Sequence, residues 1–180
     1  MIEFDRITTR GGDRGESSLF NGERRRKDDL LFDAMGDVDE ANVSIGLARA
    51  HLQDEQLKRS LNDLQQILFK IGAQIATPPN DALYKQIRHV EQEDIDKLEA
   101  IQKQLMDKIE IGPVFVTPGD SVTGAFIDVA RTVVRRAERT VVACIRERHM
   151  IHLALCQNYL NRLSDYLFVL ARAADQNVVS

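Results

Sequence analysis

The chain has 180 residues, with 24 Lys and Arg against 28 Asp and Glu, a net charge of −4, and 43% hydrophobic against 29% charged residues. That balance excludes a disordered or membrane-embedded chain, and the length fits one domain with a substantial core. The acidic total argues against a broad nucleic-acid surface, despite the short basic run Arg24, Arg25, Arg26 and Lys27.

The N-terminal segment MIEFDRITTR has no apolar signal-peptide core, and no apolar stretch reaches the roughly 20 residues that span a bilayer, so the expected compartment is the cytoplasm. Residues 1–27, rich in Gly, Arg, Ser and Thr, are expected to lie outside the core as a loop. Within it, TTRGGDRGESS combines Gly11, Gly12 and Gly15 with Arg10, Arg14, Thr9, Ser17 and Ser18. Glycines let backbone N–H groups approach phosphate oxygens, and hydroxyls add donors. The Walker A spacing is missing, so phosphate binding and a flexible basic tail both stay open.

From about Asp28 to His51 apolar residues mix with acids at helical spacing. From Asp54 to Ala76 the set Leu57, Leu61, Leu64, Leu68, Ile71 and Ile75 steps by four and three, the clearest amphipathic helix of the chain. Glu91 to Ile109 repeats the pattern with Ile95, Leu98, Ile101, Leu105 and Ile109, and helices follow over about Ser121–Glu147 and His152–Asn177. Pro78, Pro79, Pro113 and Pro118 mark the breaks. The expectation is a single all-α unit over 1–180, a five-helix up-and-down bundle over 28–177 with no convincing sheet.

Cys144 and Cys156 form no disulfide framework or CxxC pair and read as small buried hydrophobes. A di-iron site would need Glu-x-x-His, and no histidine here has Glu three residues before it. His149, His152 and Cys156 stand at i, i+3 and i+7 but straddle a helix junction, so no metal site is assigned.

The fourth helix carries RTVVRRAER. At about 100° per residue, Arg131, Arg135 and Arg139 share a stripe with Glu138 beside them, opposite Ala130, Val133, Val134, Ala137 and Val141. Arginine keeps its charge and offers a planar donor fork for phosphate or carboxylate, so this row needs an anionic partner, either from the protein or from a ligand. In the last helix Asn158, Asn161, Arg162, Asp165 and Arg172 form a polar stripe, where Asp165 is placed to hold Arg162 at i, i+3. In GDVDEANVSIG, Asp37, Asp39 and Glu40 are expected to pair with the arginines or stay solvated rather than bind a cation.

Taken in order, TTRGGDRGESS, GERRRKDD, GDVDEANVSIGLA, FVTPGD, ARTVVRRAER and NYLNRLSDYLFVLAR resemble the PduO-type ATP:cob(I)alamin adenosyltransferases over almost the whole chain, from Thr9 to Arg172. The resemblance implies a homotrimeric five-helix bundle with active sites between subunits. It also implies transfer of the 5′-deoxyadenosyl group of ATP to reduced cobalamin, with Mg2+ on the phosphates, releasing triphosphate. A reductase and an adenosylcobalamin-dependent acceptor enzyme are implied partners, without nucleic acid or membrane.

Residue by residue, it places ATP against Thr9, Arg10, Gly11, Gly12, Asp13, Arg14, Gly15, Glu16, Ser17, Ser18 and Lys27, and against Arg135, Arg136, Glu138, Arg139 and Asn161. Arg135, Arg131, Asp39 and Phe115 are the implied catalytic set. Asp39 and Arg131 would pair across the subunit interface. Phe115 would displace the corrinoid's lower axial base; without the resemblance it reads as an aromatic packed in a loop between prolines. The chain departs from the family's usual residues at Gly11, Asp120, Ile127 and Asp128, and the two acids would add negative charge near the corrinoid side. The competing readings are a regulatory ATP-binding bundle without corrinoid turnover and a structural helical adaptor.

Overall fold

The computed structural model describes residues 3–113 and 115–179, so the first two residues of the expected 1–27 segment lie outside it. A single helical turn, α1 (Phe4–Ile7), precedes a hairpin of β1 (Glu16–Ser18) and β2 (Arg24–Arg26), paired antiparallel with Ser17 opposite Arg25. Five long helices follow: α2 (Leu30–His51), α3 (Glu55–Ile75), α4 (Gln92–Met106), α5 (Val122–Glu147) and α6 (Ala154–Asp175). Short 3-10 turns at Ala82–Lys85 and Ile151–Leu153 interrupt the connections.

Four of the five long helices have a side-chain cap at their start, and α6 begins without one. The Asp29 carboxylate accepts from the Leu31 N–H, Asp54 accepts from Gln56 and Leu57, and the Ser121 hydroxyl accepts from Gly124. These caps satisfy backbone donors that have no partner in the first turn. The carboxylate of Asp94 reaches back to the Glu91 N–H at 3.0 Å to begin α4. That helix stops at Met106, short of Ile109, which packs partly buried against the core from a turn.

The core follows the expected stripes. Leu61, Leu64, Leu68, Ile71 and Ile75 of α3 are buried, as are Ala130, Val133, Val134, Ala137 and Val141 of α5. Ile101 is the exception at 37% exposure, since it sits at the edge of its helix's apolar arc. Helix α5 packs on both α2 and α6; α3 lies against α2, and α4 against α6. The Lys70–Asp94 ion pair at 2.9 Å ties α3 to α4.

The hairpin replaces the plain loop expected for residues 1–27. Its strands are three polar or charged residues each, too short to show alternation in sequence. Tertiary contacts hold it: Leu19 is 3% exposed and joins the core, and the Asn21 amide donates to Asp81 at 2.9 Å.

Candidate active site

Two different spaces flank α5. Because residues 131 and 136 are five apart, their side chains diverge by roughly 140° around the helix. Arg131 and Arg135 border a cavity of roughly 450 Å3 that they share with Met106 and Ile111 and with Asp165 and Phe168 of α6. Arg136 and Arg139 border a groove of roughly 600 Å3 against Asp33, Gly36 and Asp37 of α2. Of the charged stripe, Arg131 and Arg135 therefore face one space and Arg139 the other.

The arginines also differ in their partners. Arg136 donates through Nε to Asp37 at 2.9 Å and through a terminal nitrogen to Glu40, while Thr140 donates its hydroxyl to the other Asp37 oxygen. The Glu40 and Asp37 carboxylates hold the Arg136 guanidinium above its ordinary pKa. Arg139 donates to the backbone carbonyl of Arg135 at 3.0 Å. Arg135 is exposed, and among the described residues no carboxylate pairs with it. Arg131 donates through Nε to Asp128 at 2.7 Å.

Glu138 and Asn161 are brought together, the amide donating to the carboxylate at 3.0 Å. Asn161 in turn accepts from Arg162, whose Nε donates to Glu99 of α4 at 2.7 Å. Glu99, not the expected Asp165, is thus the ion-pair partner of Arg162. That pair bridges α6 to α4, and Asp165 remains exposed at the cavity.

In the N-terminal loop, Thr9 accepts the Gly11 N–H at 3.4 Å, and the Arg24 guanidinium donates to the Gly11 carbonyl at 2.8 Å and to Glu16 at 3.3 Å. The Lys27 N–H donates to the Gly15 carbonyl at 2.8 Å. A Cβ on Gly12 would lie 2.8 Å from Lys27 Nζ, so the absence of a side chain there lets the ammonium settle on the loop backbone. Gly15 takes φ +77°, a conformation glycine adopts without strain. Arg10, Asp13, Arg14, Glu16 and Ser18 are exposed, and Ser17 is half-buried.

The sequence profile described as cobalamin adenosyltransferase matches residues 7–174. A corrinoid adenosyltransferase of Mycobacterium leprae is 39% identical over 179 residues, covering 97% of this chain and 93% of that protein. One from Citrobacter freundii is 39% identical over 171 residues, covering 93% of both. The chain belongs to the cobalamin adenosyltransferase family. Its fold is also similar to the solved structure of a variant PduO-type ATP:corrinoid adenosyltransferase from Lactobacillus reuteri complexed with cobalamin and ATP. The TM-score is 0.84 at 29% identity, with 97% of this chain and 96% of that one covered.

Within one chain of this adenosyltransferase family member, the sequence-assigned residues fall into separate groups. Among the described residues, no hydrogen bond or ion pair joins positions 9–18 to Arg131, Arg135, Arg136 or Arg139. Asp39 is exposed and among the described residues has no ion pair, so Arg131 and Asp39 do not meet here. Asp37 and Glu40, not Asp39, are the carboxylates that pair with the arginine helix.

Two expectations change. Phe115 is not packed in its loop: it stands wholly in solvent at 106% relative exposure. Asp128 does not add free negative charge, because it is 4% exposed and accepts from both Arg131 at 2.7 Å and Arg172 at 2.6 Å. Asp120 is exposed. The cysteines are buried, and burial pushes the Cys144 thiol up to about 11 and the Cys156 thiol up to about 12, so neither serves as a thiolate nucleophile. Sequence reasoning missed Arg24 at the loop, Thr140 on Asp37, and Phe168 at the cavity. Arg24 lies within GERRRKDD and Thr140 directly follows ARTVVRRAER, whereas Phe168, inside the last motif, carries no polar group to mark it.

Proposed function

We propose that this chain transfers the 5′-deoxyadenosyl group of ATP to cob(I)alamin, giving adenosylcobalamin and triphosphate. Family membership over residues 7–174 names the reaction, and one structural observation supports its placement: Arg135 is an exposed cation without a carboxylate partner among the described residues, bordering a cavity with Arg131.

The chemistry asks little of the protein in covalent terms. Co(I) is itself the nucleophile; its electron pair forms the Co–C bond to the ribose 5′-carbon as the C–O bond to triphosphate breaks. The protein must align the two reactants and stabilise a polyanionic leaving group. Each charge-assisted contact from arginine to phosphate contributes roughly 1.5–3 kcal/mol. In this reading Arg135, with Arg139 and Arg136 across the helix, faces the phosphates, joined by Lys27 and the donors of residues 9–18. Glu138 and Asn161, hydrogen-bonded to each other, orient the nucleotide together. Among the described residues no group of three His, Cys, Asp or Glu side chains could hold a metal ion. Magnesium would come with the phosphates as their counterion.

The loop and the arginines do not meet within one chain, which supports an active site completed between subunits. Asp39 and the terminal nitrogens of Arg131 are left for such a contact, and Val43 and Leu47 of α2 and Phe69 of α3 are exposed apolar residues on the flank that carries Asp39. A homotrimer closes these contacts by rotation symmetry, with Asp39 of one subunit reaching Arg131 of the next. Phe115, free of its own chain, is placed to press on a bound corrinoid and exclude its lower axial base. Generating Co(I) requires a reductase, and the organometallic product suits direct hand-over to an acceptor enzyme. The same reading places the protein in the cytoplasm, where ATP is held; no helix among the described residues is long and apolar enough to cross a membrane.

The test is spectral. Chemically reduced cobalamin and Mg-ATP, mixed anaerobically with the protein, should lose the Co(I) spectrum and gain that of adenosylcobalamin. Well-folded protein that leaves the Co(I) spectrum unchanged overturns the proposal, and ATP binding without turnover would favour the regulatory reading. Analytical ultracentrifugation should report three chains per particle; a monomer that turns over at full rate would remove the intersubunit site.

A further inference from the structure

The start of α5 is locked to the end of α6 by a chain of buried charges. Asp128 and Arg172 are each 4% exposed and pair at 2.6 Å across 44 residues of sequence. Arg172 also pairs with Asp175 at 2.8 Å, and the second oxygen of Asp175 accepts from the Ser121 hydroxyl at 2.8 Å. The same Ser121 oxygen caps α5 through Gly124 N–H, and the Arg172 guanidinium lies 5.4 Å from the centre of the Phe168 ring, which borders the cavity. Two cations and two anions thereby satisfy one another: Arg131 and Arg172 against Asp128 and Asp175.

A clamp between two helices needs only Arg172, Asp175 and Ser121. Asp128 does something more. Its second oxygen takes the Nε edge of Arg131 at 2.7 Å, and among the described residues that edge is the only part of the guanidinium with a partner. A guanidinium is a rigid plane with five donors, so fixing Nε fixes where the remaining four point. Arg131 is partly buried, with a side-chain exposure of 23%, and borders the same cavity as Arg135. A carboxylate that is itself immobilised by Arg172 is a stiff anchor for that orientation, since its own rotamer is set by a second buried bond.

We propose that Asp128 is a positioning residue for adenosyl transfer: anchored by Arg172, it holds Arg131 by Nε and keeps the terminal nitrogens available to the cavity and the subunit contact. This rests on the proposed reaction. The negative charge is thus a device of the site, not a burden on it.

The experiment compares Asp128→Asn with Asp175→Asn, which loosens the same clamp at the end that does not touch Arg131. Both are assayed in the full-length protein by conversion of pre-reduced cobalamin with Mg-ATP, with melting followed by circular dichroism. Asp128→Asn should lower kcat by about tenfold or more, the scale expected when a reacting-site group is displaced by a fraction of an ångström. The KM for ATP should change less than kcat, and Asp175→Asn should keep kcat within about twofold. In an Arg131→Met background, Asp128→Asn should have no further effect on kcat, because the two residues act as one unit. If Asp128→Asn fails to fold, Asp128→Glu keeps the charge while moving the carboxylate by one methylene, and should show the same kcat loss. Equal kcat losses in the Asp128 and Asp175 variants, an unchanged kcat in the folded Asp128 variant, or full additivity with Arg131→Met would each overturn the proposal. A wild-type protein without turnover would remove the reaction and this role together; wild-type turnover with an unaffected Asp128 variant would remove the role alone.

Discussion

The cavity bordered by Arg131 and Arg135 and the groove bordered by Arg136 and Arg139 lie on two sides of one helix, and their cations are used differently. In the groove, Arg136 is held by Asp37 and Glu40, and Thr140 ties up the remaining Asp37 oxygen. In the cavity, Arg135 has no carboxylate partner among the described residues, and Arg131 is held by one edge. Adjacent arginines of identical chemistry are thus set apart by what the neighbouring helices present. A guanidinium already paired inside the chain must give up those bonds to bind a ligand, whereas an unpaired one costs little to recruit. On this ground the proposed role in holding phosphate falls to Arg135 before Arg136.

The largest expected effect tests that ranking at its stronger end. Arg135→Ala should lower turnover with pre-reduced cobalamin by about 100-fold, the cost of losing one donor aimed at developing charge. Its melting temperature should stay within about 2 °C of wild type, as for an exposed side chain without partners. Unfolding of this variant would make Arg135 structural and reverse the comparison. Next in size, Phe115→Ala should lower turnover starting from Co(II) by about tenfold more than turnover from Co(I), a difference of about 1.4 kcal/mol in barrier. Since Phe115 is wholly exposed, stability should not move, and equal losses in the two assays would remove it from base displacement.

Smaller effects sharpen the contrast. Gly12→Ala forces Lys27 off the loop backbone, and only the flexible end of a side chain has to yield. The KM for ATP should rise about fivefold, equivalent to weakening one charge-assisted contact by about 1 kcal/mol, with unchanged melting. An unchanged KM would separate Lys27 from the nucleotide. Last, Arg136→Ala should cost about 1 kcal/mol or less of stability, because its side chain is 41% exposed and its pairs with Asp37 and Glu40 are correspondingly screened. Activity should fall less than in Arg135→Ala. A loss of turnover as large as that of Arg135→Ala, without any change in melting, would erase the distinction between the two grooves.

The five long helices were legible because apolar residues recur at helical spacing in each, and a side-chain cap marks the start of α2, α3, α4 and α5. Leu61, Leu64, Leu68, Ile71 and Ile75 are buried as their spacing predicts, and Asp54 and Ser121 cap the helices they precede. The hairpin at Glu16–Arg26 was not legible, since its strands are polar on both faces and one buried leucine anchors it. Of the site, Glu138 with Asn161 and the loop with Lys27 could be assembled from motif resemblance. The partners of Arg162 and Arg172 could not, because Glu99 and Asp128 lie 63 and 44 residues away in the chain.

The sequence by itself determined which segments become helices, which face of each is apolar, and which residues carry charge. These are local properties, set by periodicity and capping within a few turns. Only the tertiary structure decided that α5 lies between α2 and α6 and that α4 rests on α6, and so which carboxylate each arginine meets. The reason is geometric: an arginine can be satisfied by any acid within reach, and reach is a property of helix packing. Packing paired Arg136 with α2, placed Asp128 between two arginines, and left Arg135 at the cavity without a carboxylate partner among the described residues.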